Sequence, residues 1–395
     1  MKVKMKNINL IHNIFIFISL LLLLNNINTK KQINFLSFKE EIKPSKEYTD
    51  LINYITSNGG YVNPKLVPNE ISDSNRYIIT TDKIKKDEVL LFSPDIILIS
   101  KLHKYVFRKC QEAYGFEEEY DYDCIVYFMT IDKYNSTTMF RPYYNYLPTL
   151  DKSEFVFSFS EEEKEIFKET GVTDGIRTYE YFLNKALKPV EDRLKHFAEK
   201  HKIKYETLLE EFKNNFSLVG TRNFGRPDCF CDLSTMVPFL DLLNHSDKNN
   251  THWYYDESKG GYILIAIRDI EKNEEITDSY GKYYNSLLYK TYGFVIPGNS
   301  YPDIVSAKIN GEIYSLTMEF LKSHVDRMFE KLVKSKNVNF KEAKNLILKD
   351  LNDKKNYYLG LKTKRFSMNV IIKEHLEILN AYINEVESFD INRIN

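Results

Sequence analysis

The stretch from Val237 to Val295 constrains the fold most, because it carries three short motifs in a fixed order. An Asn-His pair, Asn244 and His245, ends the apolar run VPFLDLL, which we interpret as strand-like. A Tyr-Gly pair at Tyr280 follows a hairpin-like segment, and a second at Tyr292 comes twelve residues later. The tripeptide NHS alone is common in an Asn-rich chain, whereas the ordered set is not. We therefore expect these motifs to form one site.

This order resembles the catalytic half of SET-domain protein methyltransferases, in the branch similar to Rubisco large-subunit lysine methyltransferase. Four upstream segments also resemble stretches of that branch: RYIITTDKIKKDEVLLFSPDIILIS, FRPYYNYLP, FSFSEEEKEIFKETGV and NFSLVGTRNF. The resemblance covers about residues 70–297 in the family's order. It implies an α+β fold, with a SET-domain β-fold split by a helical insertion at about 101–220. An all-helical, substrate-binding C-terminal domain is expected at 298–395.

Local patterns agree with this organisation. Short β-rich runs alternate with turns from about residue 70, and helical patterns dominate the following hundred residues. Ser160, with Glu163 three residues later, predicts a capping box at a helix start. SKGG between two β-rich runs predicts a hairpin. A stripe with helical spacing predicts an amphipathic helix near the C-terminus: Ile372, Leu376, Leu379, Ile383 and Val386.

The N-terminus has the features of a targeting segment. MKVKMKN is basic, and Ile14 to Leu24 is an eleven-residue apolar run that suits a signal-peptide core. We assign residues 1–28 to a signal peptide, with an uncleaved signal anchor as the alternative because no small-x-small cleavage site follows. Residues 29–69 are interpreted as a transit-like segment and linker. Together they predict secretory entry and delivery to a plastid-type, apicoplast-like organelle; the alternative is a secreted or endomembrane protein.

Charge and cysteine content set further limits. With 55 basic and 56 acidic residues, the chain lacks the excess positive charge typical of nucleic-acid binding. The four cysteines are Cys110, Cys124, Cys229 and Cys231. The Cys-x-Cys pair has no further ligands at zinc spacing, so we expect reduced thiols and no metal. We expect a monomer without stable membrane association after signal cleavage.

The resemblance implies a protein-lysine N-methyltransferase (EC 2.1.1.-) that uses S-adenosyl-L-methionine (SAM) and acts on a protein substrate. It implies that Tyr280 is catalytic, with a hydroxyl that orients the acceptor amine. It implies cofactor binding by a set spread along the chain: Asn75, Arg76, Arg222, Asp241, Asn244, His245 and Phe294. It implies substrate binding by three aromatic residues: Phe224, Tyr280 and Tyr292.

The chemistry of these side chains suits those roles. The Asn244 amide offers both a donor and an acceptor to the amino-acid end of SAM. The Arg222 guanidinium can pair with its carboxylate. An apolar channel favours the uncharged form of a lysine amine, which reacts as a nucleophile. Phenylalanine at position 224 favours lysine over histidine as the acceptor.

One segment departs from the family pattern. Asn75-Arg76-Tyr77 stands where the family usually has Gly-x-Gly, and the missing glycines normally allow close backbone approach to the cofactor. Two alternatives therefore stay open. One is a protein-histidine methyltransferase. The other is a SAM- or peptide-binding SET protein without turnover, which this departure favours.

Overall fold

The computed structural model describes residues 44–72, 75–115, 121–148, 150, 155–225, 233–335 and 338–393. The helices, in chain order, are α1 Lys46–Ser57, α2 Lys104–Tyr114, α3 Asp121–Asp132, α4 Arg141–Tyr146, α5 Glu161–Ile166, α6 Asp174–Leu187, α7 Glu191–His201, α8 Tyr205–Arg222, α9 Asn285–Tyr292, α10 Leu321–Glu330, α11 Phe340–Gly360 and α12 Phe366–Glu387. The strands are β1 Tyr61–Val62, β2 Leu66–Ser72, β3 Asn75–Thr80, β4 Val89–Pro94, β5 Ile99–Ser100, β6 Asn223–Phe224, β7 Thr235–Met236, β8 Asn244–His245, β9 Thr251–Asp256, β10 Gly261–Ala266, β11 Thr277–Asp278, β12 Val305–Ile309 and β13 Glu312–Leu316.

Small sheets make up the β-fold. The largest has the strand order β1-β4-β10-β9 and is antiparallel throughout. The predicted SKGG hairpin is confirmed, since β9 and β10 pair from Thr251 to Ala266 across this turn. Gly260 adopts a φ of 63°, a conformation that a residue without a Cβ reaches at low cost. The other sheets join β2 with β3, β5 with β7 and β6, and β12 with β13.

A short parallel pair brings the sequence motifs together. Strand β8 pairs with β11, with Asn244 opposite Thr277 and His245 opposite Asp278. Tyr280 follows β11 by two residues, so it emerges beside His245. A bridge between Ile79 and Glu275 ties β3 to the same region. Chain segments far apart in sequence therefore converge at one place.

The apolar run before the Asn-His pair differs from its predicted strand-like form. Pairing ends at Met236, after which the chain turns through Pro238 and enters a 3-10 helix at Leu240–Leu242. Pro238 has no N–H to continue a ladder. Its carbonyl accepts a hydrogen bond from Ser93 Oγ at 3.0 Å, and the buried Phe239 adopts a φ of 75°. This turn aims the next residues towards β11.

The helical insertion is present as predicted and spans α2 to α8. Ser160 caps α5 with the expected capping box, because its side chain accepts from the Glu163 N–H while the Glu163 carboxylate accepts from the Ser160 N–H. Helix α8 buries Leu208, Phe212 and Phe216 on one face and ends at Arg222. The insertion therefore delivers Arg222 to the β-fold.

The folded part begins earlier than the predicted boundary at residue 70. Helix α1 buries Tyr48, Leu51, Tyr54 and Ile55 in the same core as the central sheet. The assignment of a linker up to residue 69 is therefore corrected for residues 46–69, since apolar residues at helical spacing there contribute to the core. The apolar run at 14–24 lies outside the described residues. No helix in the described part of the chain is both long and apolar enough to cross a membrane.

A second core forms around the C-terminal helices. Among the predicted stripe, Ile372, Leu379, Ile383 and Val386 are buried in it, and Leu376 is partly buried. The predicted helices are present, and the hairpin β12–β13 at the start of the region departs from the expected all-helical domain. Residues of the insertion also belong to this core, among them Val156, Phe159, Phe167, Val172 and Ile176. The C-terminal helices are thus packed directly on the insertion.

Two cysteines form a disulfide instead of the expected reduced thiols. Cys110 of α2 and Cys124 of α3 are bonded, with their Cα atoms 5.2 Å apart. Both are buried where the two helices pack together, which places their sulfur atoms side by side. Cys229 and Cys231 lie outside the described residues. Among the residues that are described, no group of three His, Cys, Asp or Glu side chains is placed to hold a metal.

Candidate functional site

The centre of the site is the hydroxyl group of Tyr280. It donates a hydrogen bond to the carbonyl oxygen of Leu243 at 2.7 Å, while the Tyr280 N–H donates to Nδ1 of His245 at 3.0 Å. Burial raises the pKa of the Tyr280 hydroxyl to about 12, although the nearby Arg222 guanidinium favours ionisation. The hydroxyl is therefore protonated at neutral pH, and it acts as a hydrogen-bonding group rather than as a phenolate base.

Three aromatic rings surround the Tyr280 ring. The His245 ring stacks on Tyr280 with centroids 5.2 Å apart, and the Tyr292 ring lies 4.9 Å from Tyr280 on another side. Phe294 is within 6.3 Å of all three of these rings. The sequence-predicted residues His245, Tyr280, Tyr292 and Phe294 are thus brought together as one aromatic cluster. Such a cluster excludes water and lowers the local polarity.

The hydrogen bonding of His245 defines its tautomer. Because Nδ1 accepts the Tyr280 N–H, the proton of the neutral ring lies on Nε2. Burial lowers the pKa of His245, so the ring is neutral at physiological pH. Within the described part of the chain, the buried Nε2 atom has no hydrogen-bond partner. A ligand acceptor could therefore use this N–H.

Arg222 and Asp241 form a second, polar part of the site. Arg222 Nη1 donates to the Asp241 carbonyl oxygen and lies 4.0 Å from the carboxylate, whose Oδ2 accepts from the Tyr143 hydroxyl at 2.9 Å. Burial raises the pKa of Asp241 to about 6, and Arg222 opposes that rise. Arg222 Nε and Asp241 Oδ1 have no protein partner among the described residues. Each of these two charged groups is therefore held in place and keeps one polar atom without a hydrogen-bond partner among the described residues.

Asn244 connects this part of the site to β3. Its amide Nδ2 donates to the Arg76 carbonyl oxygen at 3.3 Å and to Glu275 Oε1 at 2.9 Å. Burial raises the pKa of the Glu275 carboxyl group. A cavity of 50 Å³ lies between these segments, with Arg76, Tyr77, Arg222 and Asn244 among its lining residues. Three of the predicted cofactor-binding positions, Arg76, Arg222 and Asn244, therefore line one cleft.

The segment that replaces Gly-x-Gly is accommodated without strain. Arg76 and Tyr77 lie in β3 with ordinary extended backbone, so neither position needs the left-handed conformation that glycine would provide. The Arg76 guanidinium stacks over the Tyr146 ring at 4.7 Å, and the Tyr77 hydroxyl accepts from the Asn69 amide at 2.7 Å. Asn75 begins the strand. The Arg76 and Tyr77 side chains are thus held at the edge of the cleft.

Phe224 lies in a different environment from the other residues predicted to bind the substrate. Its ring packs edge-on against Trp253 at 5.3 Å and lies 6.5 Å from Tyr262. It follows Arg222 by two residues and is the second residue of β6.

Sequence reasoning missed three supporting residues. Tyr143 holds the Asp241 carboxylate, Tyr146 supports Arg76, and Glu275 accepts from Asn244. The first two lie in the FRPYYNYLP segment, and the third lies in the KNEE turn. Their positions in recognised motifs were visible, but which partner each would contact depends on the tertiary fold.

The spare polar atoms provide a test for the cofactor that the sequence implies. Arg222 Nε and His245 Nε2 are donors, and Asp241 Oδ1 is an acceptor. This set, together with the Asn244 amide, fits a ligand that carries both a carboxylate and an ammonium group. The amino-acid end of SAM has that chemistry.

These observations define an α+β protein with a helical insertion, in which β3, Arg222 and Asn244 line a polar cleft and the neighbouring His245 belongs to an aromatic cluster with Tyr280. The chain belongs to the SET domain family, whose model matches residues 75–281. All of the site except Tyr292 and Phe294 lies within the matched region.

Several characterised proteins are similar in sequence. Ribosomal lysine N-methyltransferase 4 of Saccharomyces cerevisiae is 32% identical over 120 residues, covering 29% of this chain and 24% of the relative. Human N-lysine methyltransferase SETD6 is 29% identical over 173 residues, covering 41% and 35%. SET domain-containing protein 4 of Artemia parthenogenetica is 24% identical over 286 residues, covering 66% and 68%. The chain therefore spans well under two thirds of the length of the first two relatives.

Solved structures with the same fold include Rubisco LSMT bound to AdoMet, with a TM-score of 0.59 and 15% identity. The SET domain of LSMT bound to lysine and AdoHcy matches with a TM-score of 0.60 and 14% identity. Each match covers 87% of this chain and 92% of the solved chain. The predicted α+β SET fold with its helical insertion is thereby confirmed.

Proposed function

We propose that this protein is a SAM-dependent protein-lysine N-methyltransferase. The observation that carries the proposal is the Tyr280 hydroxyl, bonded to the Leu243 carbonyl inside an aromatic cluster and next to a polar cleft. The names of the relatives support the same activity, since the yeast and human relatives are lysine methyltransferases. The protein substrate is proposed on the same basis.

The polar cleft would hold the methyl donor. Arg222 and His245 would donate to its carboxylate, and Asp241 and the Asn244 amide oxygen would accept from its ammonium group. When bound, SAM supplies an electrophilic methyl group on a sulfonium centre. The protein's contribution to such a reaction is to orient the partners and exclude water.

Tyr280 would position the acceptor amine. Its proton is committed to Leu243, so the phenol oxygen offers its lone pairs to an amine N–H. The Leu243 carbonyl is a second acceptor at the same place. Burial beside Tyr292 and Phe294 would remove water from the amine, and this desolvation favours the neutral form of a lysine side chain in the cluster. Two directed acceptors leave the nitrogen lone pair free to react.

The direct test uses purified residues 40–395 with labelled SAM and an organelle extract. We expect SAM binding by calorimetry without added metal, and label on the lysine of an extract protein, identified by mass spectrometry. Label on histidine would support the alternative acceptor. Absence of SAM binding at millimolar concentration would overturn the proposal. Binding without label transfer would favour the non-catalytic alternative.

We also propose that the chain enters the secretory route and continues to a plastid-type organelle. The basic start, the apolar run at 14–24 and the Lys-rich segment after it support this route. The bond between Cys110 and Cys124 gives separate support, because disulfides persist mainly in oxidising compartments and are rare in the cytosol. A secreted or endomembrane location is the alternative.

A further inference from the structure

A second and larger cavity lies away from the polar cleft. Its volume is 310 Å³, and it is bounded by helices α6, α8 and α9 together with the segment before α5. Phe155, Phe157, Tyr179 and Phe216 are among its lining residues. None of the residues predicted for the cofactor lines it.

One wall of this cavity is a continuous row of aromatic rings. Phe157 stacks on Phe155 with centroids 5.0 Å apart and on Tyr179 at 4.5 Å. Phe216 meets Tyr179 edge-on at 5.4 Å. The Tyr179 hydroxyl and Ser217 Oγ lie 3.0 Å apart and satisfy each other. The wall therefore offers ring faces and edges, with its nearby hydroxyl groups already paired.

The cavity lies at the seam between the two hydrophobic cores. Phe216 belongs to the first core and Tyr179 packs against it, whereas Ile176, three residues before Tyr179 on α6, belongs to the second. Ligand sites occur preferentially at such seams. Two of its lining residues, Thr221 and Thr291, directly precede Arg222 and Tyr292 in the chain. The cavity is thus next to the proposed site on two sides.

We infer that this cavity is a specificity subsite that takes an aromatic side chain of the substrate polypeptide, close in sequence to the target lysine. The inference rests on the proposed function. The ends of α8 and α9 line the cavity through Thr221 and Thr291 and carry Arg222 and Tyr292 of the proposed site, so a polypeptide lying across these ends would reach both.

Size and chemistry select the occupant. An apolar cavity of about 150 Å³ is enough for benzene, so 310 Å³ has room for a phenyl or phenol ring and its linking carbon. Aromatic rings pair favourably edge-to-face or offset with rings such as those of Phe157 and Tyr179. Two charged residues also line the cavity: Asp174, which is paired with Arg177 at 2.6 Å, and Lys290. A basic side chain would lose hydration here without gaining a partner, because Asp174 is already paired and Lys290 would repel it.

The test compares two threonine-to-tryptophan variants. Thr178 lines the cavity and is exposed on α6, so Thr178→Trp fills the cavity from its rim. Thr207→Trp adds the same bulk on α8 at an exposed position that does not line the cavity. Both variants should melt close to the wild type and bind SAM with wild-type affinity, because neither residue touches the polar cleft.

The first measurement needs no turnover. Saturation-transfer NMR with N-acetyl-phenylalaninamide should show binding to the wild type and to Thr207→Trp, and loss of the signal with Thr178→Trp. Equal signals from all three proteins would overturn the inference. This arm decides the cavity's role as an aromatic site even if the protein proves to have no methyltransferase activity.

The second measurement links the cavity to substrate choice. A positional-scanning library of lysine peptides with labelled SAM should show at least about a tenfold preference for Phe, Tyr or Trp at one position, the scale of an anchoring side chain. Thr178→Trp should lose that preference, and Thr207→Trp should keep it. Transfer by the wild type without any aromatic preference would refute the subsite and leave the proposed function standing.

Discussion

The carbonyl oxygen of Leu243 accepts the hydroxyl proton of Tyr280 at 2.7 Å, although 37 positions separate the two residues. This hydrogen bond fixes the position of the phenol oxygen and leaves its lone pairs able to accept a hydrogen bond. Since the 3-10 helix at Leu240–Leu242 directly precedes Leu243, the turn after Pro238 determines where the hydroxyl can sit.

Replacing Tyr280 with phenylalanine should separate binding from chemistry. The ring remains, and only the oriented oxygen is lost. We expect turnover to fall by roughly 10²-fold or more, the scale for one oriented polar group in an active site, with little change in SAM affinity. Tyr283→Phe is the matched control, because Tyr283 stacks on Tyr292 from 6.4 Å without contacting Leu243. Methylation by Tyr280→Phe at the wild-type rate would make Tyr292 the next candidate.

Replacing Asn244 with alanine should weaken SAM binding before any effect on turnover can be seen. It removes the amide that links Arg76 to Glu275 and lines the polar cleft. We expect SAM binding by calorimetry to weaken by about tenfold, the size of one or two lost hydrogen bonds. Asn53→Ala, at an exposed position on α1, should bind like the wild type. Unchanged affinity in Asn244→Ala would remove this residue from the cofactor site.

Glu374 should make stability depend on pH near neutrality. Burial raises its pKa to about 7, while the hydrogen bond from the Asn285 amide at 2.8 Å opposes the rise. Because the folded-state pKa lies above the unfolded value, the stabilising contribution is complete at acid pH and is lost as pH rises through about 7. Glu374→Gln keeps an oxygen for Asn285 and removes the ionisation.

Melting temperatures at pH 5.5 and 8 would check this expectation. The decrease on going to the higher pH should be smaller in Glu374→Gln than in the wild type. Glu387→Gln, at the exposed C-terminal end of α12, should decrease like the wild type. The same decrease in all three proteins would show that Glu374 does not contribute to the pH dependence.

The Cys110–Cys124 bond should stabilise the insertion. It closes a short loop of 14 positions between α2 and α3, and such a closure contributes roughly 2–4 kcal/mol. We expect dithiothreitol to lower the melting temperature of the wild type. The double variant Cys110→Ala, Cys124→Ala should melt at a lower temperature than the wild type. Dithiothreitol should not change the melting temperature of this variant. If the melting temperature of the wild type stays the same after treatment with dithiothreitol under denaturing conditions, the bond is contradicted.

The proposed targeting segment can be tested apart from the rest of the chain. Residues 1–70 fused to a fluorescent protein should enter the secretory route and reach an organelle, and a diffuse cytosolic signal would contradict this. Deletion of residues 1–40 should leave the melting temperature unchanged, because the core that includes Tyr48 and Leu51 starts at α1.

The extent to which sequence predicted the structure depends on the range of the interactions. Local signals gave reliable elements: the Ser160 capping box and the SKGG hairpin both formed where their residues indicated. The run before Asn244 does not form the predicted strand, although its apolar pattern suits one. Pro238 cannot donate a hydrogen bond to a strand pair, and a 3-10 helix forms instead. Contacts such as Tyr143 with Asp241 join segments almost a hundred residues apart, and no local pattern encodes them.

The start of the folded region was also placed too late. The residues of α1 follow a Lys-rich, Asn-rich stretch, and their helical pattern is short beside it. The burial of α1 depends on tertiary contacts, since Tyr48 packs on Tyr146 and Phe239 from distant segments.

The second core has a consequence for the order in which the protein can be made. Val156, Phe159 and Phe167 leave the ribosome well before the residues that cover them, which extend to Phe389. A growing chain therefore carries an uncovered aromatic surface until those residues emerge, and such surfaces promote association between incomplete chains. Completion of α12 ends this exposure, so a helix that is made late protects a segment that is made much earlier.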